Sequence, residues 1–352
     1  MFLAQISRIG SFFKNTMIVK CVACIVLLAP FVFGDQPSSI ISSRLSTTPV
    51  IVVTIKPIYG LVAALTQGIA TPILLCEGRG STHTLSLAPS DIKTLSGADL
   101  VVWVGESYEM MMAKPLMKAI KGDQLLALDK INGLTLYPQR SGGFFSGHGC
   151  QHCCGDHHDH DHAHDHNDDD HHKHSSIDGH FWLDIDNAKI CARAISAVLI
   201  QKWPIHKNAI SVNLTKLESD LDALKVEINV QLSSVKGKIA LIDHDSLQYF
   251  EKQFGFSVKG VLSDEHGMAP SSKHLEKLKS ELDANLDEGL IKVFFYEGMV
   301  DGKASSLLTN LAKAYSIRLT SLDYVGDQLP KSTDVYQACL RAIARQVKAG
   351  FA

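Results

Sequence analysis

Short apolar runs alternate along this chain with stretches whose apolar positions recur every three or four residues. In the first half, 50–55 (VIVVTI), 73–76, 99–104 (DLVVWV) and 125–128 have strand length and carry little polar alternation. Between them Pro57 opens a helical pattern through Leu65, Ser90 and Asp91 open another to Ser96, and 109–120 is helical despite Pro115. After residue 235 the pattern returns, with strands at 238–242 (KIALI), 258–262, 291–296 (IKVFFY) and 317–322, and helices at 247–254, 271–285 and 303–314. Strands that are apolar on both sides need covers on both faces, and the interleaved helices supply them. The predicted fold is α/β, with two lobes that each hold a central, mainly parallel four-stranded sheet flanked by helices.

The segment between the lobes is helical. Asp186 and Asn187 are candidate caps for a helix over 188–202, which Pro204 breaks. From 205 to 234 the apolar positions Ile210, Leu214, Leu217, Leu221, Leu224 and Ile228 step by three or four, predicting one uninterrupted helix of about 30 residues, roughly 45 Å long. The expected divisions are a first lobe over 49–203, a linker helix over 204–235 and a second lobe over 236–352. At 352 residues the chain is long enough for two such lobes.

Composition changes this picture at one place. The tract 148–174, HGCQHCCGDHHDHDHAHDHNDDDHHKH, holds eleven of the chain's 17 histidines: His148, His152, His157, His158, His160, His162, His164, His166, His171, His172 and His174. With nothing larger than Ala163 to bury, it cannot offset the entropy of ordering, and 141–177 is expected to be a flexible loop of the first lobe. Neutral imidazole ligates zinc, copper and nickel, and the interleaved aspartates concentrate divalent cations. No fixed backbone holds these ligands, so the tract reads as a secondary, weak metal loop, and a tight site belongs in the folded parts on either side.

Lys14 and Lys20, an apolar core over 21–33 (CVACIVLLAPFVF) and Gly34 form a secretory signal over 1–34, with Met17 an alternative start. It is too short to span a bilayer as a mature helix. No cysteine follows the apolar core, so an exported, periplasmic chain without a lipid anchor is expected. Cys150, Cys153 and Cys154 in the loop suit zinc as readily as a disulfide, and sequence alone assigns no pairing. The net charge of −3 is concentrated in the loop, where seven Asp against Lys173 give −6. The remainder does not resemble a nucleic-acid surface, and a monomer is expected.

Outside the tract six histidines remain: His83, His180, His206, His244, His266 and His274. For any one alone, polar surface is the ordinary explanation, and His206 and His274 are left with it. His266, in the polar loop DEHG, is a candidate lid residue. His83 follows the second strand of the first lobe, His180 lies beyond its fourth, and His244 follows the first strand of the second. Ligands of open α/β sheets collect outside the carboxyl ends of the strands, so these three are expected to meet in the crevice between the lobes. Asp323, ending the last strand, is a candidate carboxylate ligand from the same edge, although it and Asp243 can equally cap the segments after their strands.

Three segments carry a resemblance. GSTHTLSLAPSDIKTLSGADLVVWVG (80–105), DGHFWLDIDNA (178–188) and DHDSLQYFEKQFGF (243–256) resemble the metal-binding motifs of the ZnuA-like periplasmic zinc-binding proteins of ABC importers, a branch of the cluster A-I metal solute-binding proteins. The resemblance implies two α/β lobes, one long rigid connecting helix, and a Zn2+ ion held in the cleft by His83, His180 and His244. It also implies delivery to the membrane permease of a zinc ABC transporter with its cytoplasmic ATPase. Manganese-binding relatives carry a glutamate where this chain has His244, and three imidazoles suit zinc better than manganese. Thr82 stands where some zinc members have a glutamate, which leaves Asp323 or water as the fourth donor. The C-terminal disulfide of some members lacks an evident partner for Cys339. The alternatives are a carrier of manganese or another divalent metal, a surface adhesin role alongside transport, and a zinc-dependent hydrolase. Against the last, the chain has no HExxH, no nucleophile elbow and no general base at motif spacing, so no enzyme is expected.

Overall fold

The structure, a computed structural model, describes residues 48–75, 77, 86–140, 177–263, 270–285, 291–297 and 305–352. The predicted signal, His83, the whole His/Asp tract and His266 lie outside these residues.

The first lobe is a parallel sheet of β1 (Ile51–Val53), β2 (Ile73–Leu74), β3 (Leu100–Trp103) and β4 (Leu125–Ala127), in the order β2-β1-β3-β4. The helices α1 (Lys56–Leu65), α2 (Pro89–Ser96) and α3 (Met110–Ala119) connect the strands. The second lobe repeats the plan with β5 (Ile239–Ile242), β6 (Ser257–Val261), β7 (Ile291–Glu297) and β8 (Arg318–Leu322) in the order β6-β5-β7-β8, again parallel. Its helices are α6 (Gln248–Phe254), α7 (Ser272–Asn285) and α8 (Ser306–Ala314), while α4 (Ile185–Lys202) and α5 (Lys207–Gln231) run between the lobes.

The period of two in each strand explains the layering. Ile51, Val53, Leu100 and Val102 face one core, and Val52, Val101 and Trp103 face the other, against α2 and α3. In the second lobe Ala240, Ile242, Val293 and Phe295 face inward, and Leu241 and Phe294 face α7 and α8. The inward faces of both sheets belong to one continuous apolar cluster, filled by α1, α4, α5 and a further helix, α9 (Val335–Gly350).

Two expectations need correction, and one helix was missed. Helix α4 begins three residues earlier than predicted, because Asp184 caps it by accepting from the backbone N–H of Asp186 and Asn187. Helix α5 has 25 residues rather than 30, with short 3-10 turns at 204–206 and 233–235 finishing the span. It joins the lobes as expected, and Ile210, Leu217, Leu221, Leu224 and Ile228 of its apolar stripe are buried in the shared core. Helix α9 was not predicted at all, although Val335, Cys339, Leu340, Ile343, Ala344 and Val347 recur at helical spacing.

Candidate metal centre

The carboxyl ends of the strands bring the site together. His244 stands two residues beyond β5, and His180 starts a 3-10 turn (Phe181–Leu183) ahead of α4. Gly179 is required at that approach, because a Cβ there would lie 2.6 Å from the Ser107 carbonyl oxygen. Both imidazoles are buried, at 4% and 6% exposure, and their Nε2 atoms are 3.4 Å apart. Two ligands of a tetrahedral zinc at 2.0–2.1 Å are separated by roughly 3.3–3.4 Å, so this pair already has the spacing of one edge of a zinc tetrahedron.

The other side of the His180 ring is held by Asp178. One carboxylate oxygen, Oδ1, faces His180 Nδ1 at 2.8 Å and accepts from the His180 backbone N–H at 2.9 Å. With Nδ1 against that oxygen, the ring turns its Nε2 toward His244. Aromatic rings wall the site. Tyr108, Trp182 and Tyr324 lie 5.2, 5.4 and 5.4 Å from the His180 ring, and Tyr324 lies 6.1 Å from that of His244. Such walls lower the local dielectric and exclude water.

Asp323 directly follows β8, but both of its carboxylate oxygens are used locally, accepting from the backbone N–H of Asp327 (2.9 Å) and Gln328 (3.0 Å). The capping alternative therefore describes its contacts. Among the described residues no group of three His, Cys, Asp or Glu side chains comes together to hold a metal. His274 is a satisfied core histidine whose Nε2 pairs with the Val261 carbonyl at 2.8 Å. Cys191 and Cys339 are buried free thiols, and burial pushes the Cys191 thiol up to about 12.

Sequence reasoning missed the acidic group behind the histidines. Glu297 ends β7, between β5 and β8; its Oε2 accepts from the Tyr324 hydroxyl (3.0 Å), and its N–H donates to Asp243 Oδ2 (3.0 Å). Burial raises Glu297 to about 7 and Asp243 to about 6. The strand-end rule that selected Asp323 applies equally to Glu297 in IKVFFYE. For Asp178 the signal was its place in DGH, two residues ahead of a candidate ligand.

The sequence profile of the family "ZnuA: Zinc-uptake complex component A periplasmic" matches residues 51–350. The chain belongs to the ZnuA family. It is 32% identical over 350 residues to the high-affinity zinc uptake system protein ZnuA of Brucella abortus (strain 2308), covering 94% of this chain and 98% of the relative. With the ZnuA of Yersinia pestis it shares 30% over 297 residues, 84% of this chain and 89% of that one. The fold matches a crystal structure of a ZnuA deletion mutant with zinc bound, with a TM-score of 0.63 and 20% identity over 86% of this chain and 97% of the other. Membership of the ZnuA family makes this chain a zinc-binding solute-binding protein rather than an enzyme. ZnuA proteins are periplasmic and work with an ABC-transporter permease and its ATPase.

Proposed function

We propose that this chain captures one zinc ion between its lobes on His83, His180 and His244, and surrenders it to the permease of a zinc ABC importer. The observation that carries the reading is the buried His180–His244 pair, whose Nε2 atoms stand 3.4 Å apart at the carboxyl edges of the two sheets. At that spacing a single zinc ion can take both Nε2 atoms as ligands. His83 follows β2 in the chain and is the third imidazole of the set. Either Asp323 or water completes the tetrahedron; for Asp323 to do so, its carboxylate has to give up a backbone contact at Asp327 or Gln328.

Competition against a chelator of known affinity tests the site. Single changes of His180 or His244 to Ala are expected to weaken zinc binding by about 100-fold or more, and the triple change with His83→Ala to remove the tight equivalent. Tight binding in the triple variant refutes the assignment, and tighter binding of manganese than zinc by the native chain refutes the choice of metal.

The tract 148–174 serves in this reading as a weak, multiple-site buffer feeding the cleft, releasing metal as its imidazoles protonate below about pH 6.5. Deleting it removes the extra weak equivalents and leaves the tightest one in place; loss of the tight equivalent contradicts the buffer role. The chain is exported by the signal over 1–34 and acts as a monomer without nucleic acid. Among the described residues no helix is long and apolar enough to cross a membrane.

A further inference from the structure

Asp178 does more than face His180. Its second oxygen, Oδ2, accepts from the Gln248 side chain at 3.1 Å, and Gln248 belongs to α6 of the second lobe. The same Gln248 Nε2 donates to the Pro138 carbonyl at 3.0 Å. Tyr249, the next residue of α6, donates its hydroxyl to the Asp178 carbonyl at 2.7 Å and accepts from the Tyr137 N–H at 2.9 Å. Asp178 and Gln248 are both buried, at 4% and 2% exposure, so these bonds form away from competing water. One carboxylate thus receives a ring N–H and a backbone N–H from its own lobe and an amide N–H from the other.

We propose that Asp178 and Gln248 are positioning residues for zinc capture: Gln248 fixes the Asp178 carboxylate from across the cleft, and Asp178 fixes His180 with its proton on Nδ1. The proposal rests on the zinc reading of His180. Its physical content is pre-organisation. A free imidazole prefers its proton on Nε2, the atom that has to ligate, so an unrestrained His180 must exchange tautomer and rotate before it binds. Held by Asp178, the ring presents its Nε2 lone pair beforehand, and the negative charge behind it raises its basicity as a ligand. Because the strap begins on α6, which follows His244 by four residues, it also sets the spacing between the two imidazoles.

The test uses the full chain as Asp178→Ala, Asp178→Asn, Gln248→Leu and His180→Ala, read by two measurements. The first is histidine 15N NMR of the metal-free protein, which reports the tautomer of His180. The second is zinc affinity by chelator competition. The native chain is expected to show His180 protonated on Nδ1. Asp178→Ala is expected to shift it toward the Nε2–H form and to weaken zinc about 10–100-fold. Asp178→Asn, which keeps an acceptor but loses the charge, is expected to retain the Nδ1–H form with an intermediate loss of affinity. Gln248→Leu is expected to broaden or mix the His180 signals with a several-fold loss. Should Asp178→Ala fail to fold, the Asn and Leu variants decide. The proposal is overturned if the folded Asp178 and Gln248 variants bind zinc within twofold of native, or if His180 keeps its tautomer in Asp178→Ala. Native-like affinity in those variants with a large loss in His180→Ala removes the positioning role alone. Native-like affinity in His180→Ala removes the zinc site itself, and the proposal with it.

Discussion

Glu109 shows how much a single buried group can weigh. It is fully buried beneath the first lobe's strand ends, its Oε2 accepting from the backbone N–H of Val104 (2.9 Å) and Gly105 (3.2 Å). Burial opposes its ionised form more than the Thr54 side chain and these backbone N–H groups favour it. Burial raises Glu109 to about 7, and the Asp129 charge adds to the rise. A folded-state value above the unfolded one means that the contribution to stability is fully present below about pH 4.5 and is lost as pH rises through 7. Glu109→Gln keeps the backbone contacts and removes the titration. It is expected to raise unfolding free energy by about 1–3 kcal/mol at pH 8 and to change it little at pH 5. Urea unfolding at the two pH values checks this, and an equal effect at both contradicts the protonation account.

At the scale of elements the decisive contact is α1 against α9. Gly60 lets the two helices approach so closely that an added Cβ would lie 2.6 Å from the Tyr336 backbone nitrogen and 2.9 Å from Val335 Cγ1. Tyr336 in turn donates its hydroxyl to the Trp182 carbonyl at 2.8 Å, tying the last helix to the segment that carries His180. Gly60→Ala gains helix propensity but forces the helices apart, and the clash is expected to win. The predicted loss is about 1–3 kcal/mol in chemical unfolding; a neutral or stabilising result means that the contact yields more easily than a packed interior should. This contact is invisible in the sequence. The run YGLVAAL announces a helix, but nothing in it says that its partner lies some 275 residues away and is itself a helix.

For the whole molecule, the two lobes are held by more than α5. The inward faces of both sheets share one apolar core, and polar ties cross outside it. Lys56 donates to the carbonyls of Asp327 and Leu329, both at 2.9 Å, and Arg140 reaches Asp245, Glu251 and the Val258 carbonyl. Arg140 is the last described residue before the His/Asp tract, and an isolated antiparallel bridge joins Pro138 to Ile177. Burial raises Glu251 to about 7 even with the guanidinium beside it. Arg140→Ala leaves two largely buried carboxylates without their cation. It is expected to cost about 3 kcal/mol at pH 7.5, and less at pH 5.5, where Glu251 takes up a proton. Thermal unfolding at both values checks it, and a pH-independent loss means that the packing of the arginine stem, rather than its charge, was the contribution.

The elements and the lobe plan were legible because they are local: the apolar runs and helical spacings dictate strands and helices wherever the chain sits. The placement of His244 was legible because a parallel sheet has one carboxyl edge, where residues just past the strands gather; His180, more than 50 residues beyond β4, comes to it on the turn ahead of α4. The sequence could not show that Asp178 holds His180, that Gln248 reaches it from the other lobe, or that Tyr324 and Glu297 stand behind the pair. Nor could it show that Asp323 turns back on its own loop. Those facts depend on which side chains face each other across a cleft after folding. Hydrophobic periodicity is a property of neighbours along the chain, whereas ligand spacing and second-layer hydrogen bonds are properties of neighbours in space, fixed only once the shared core has locked the two sheets together.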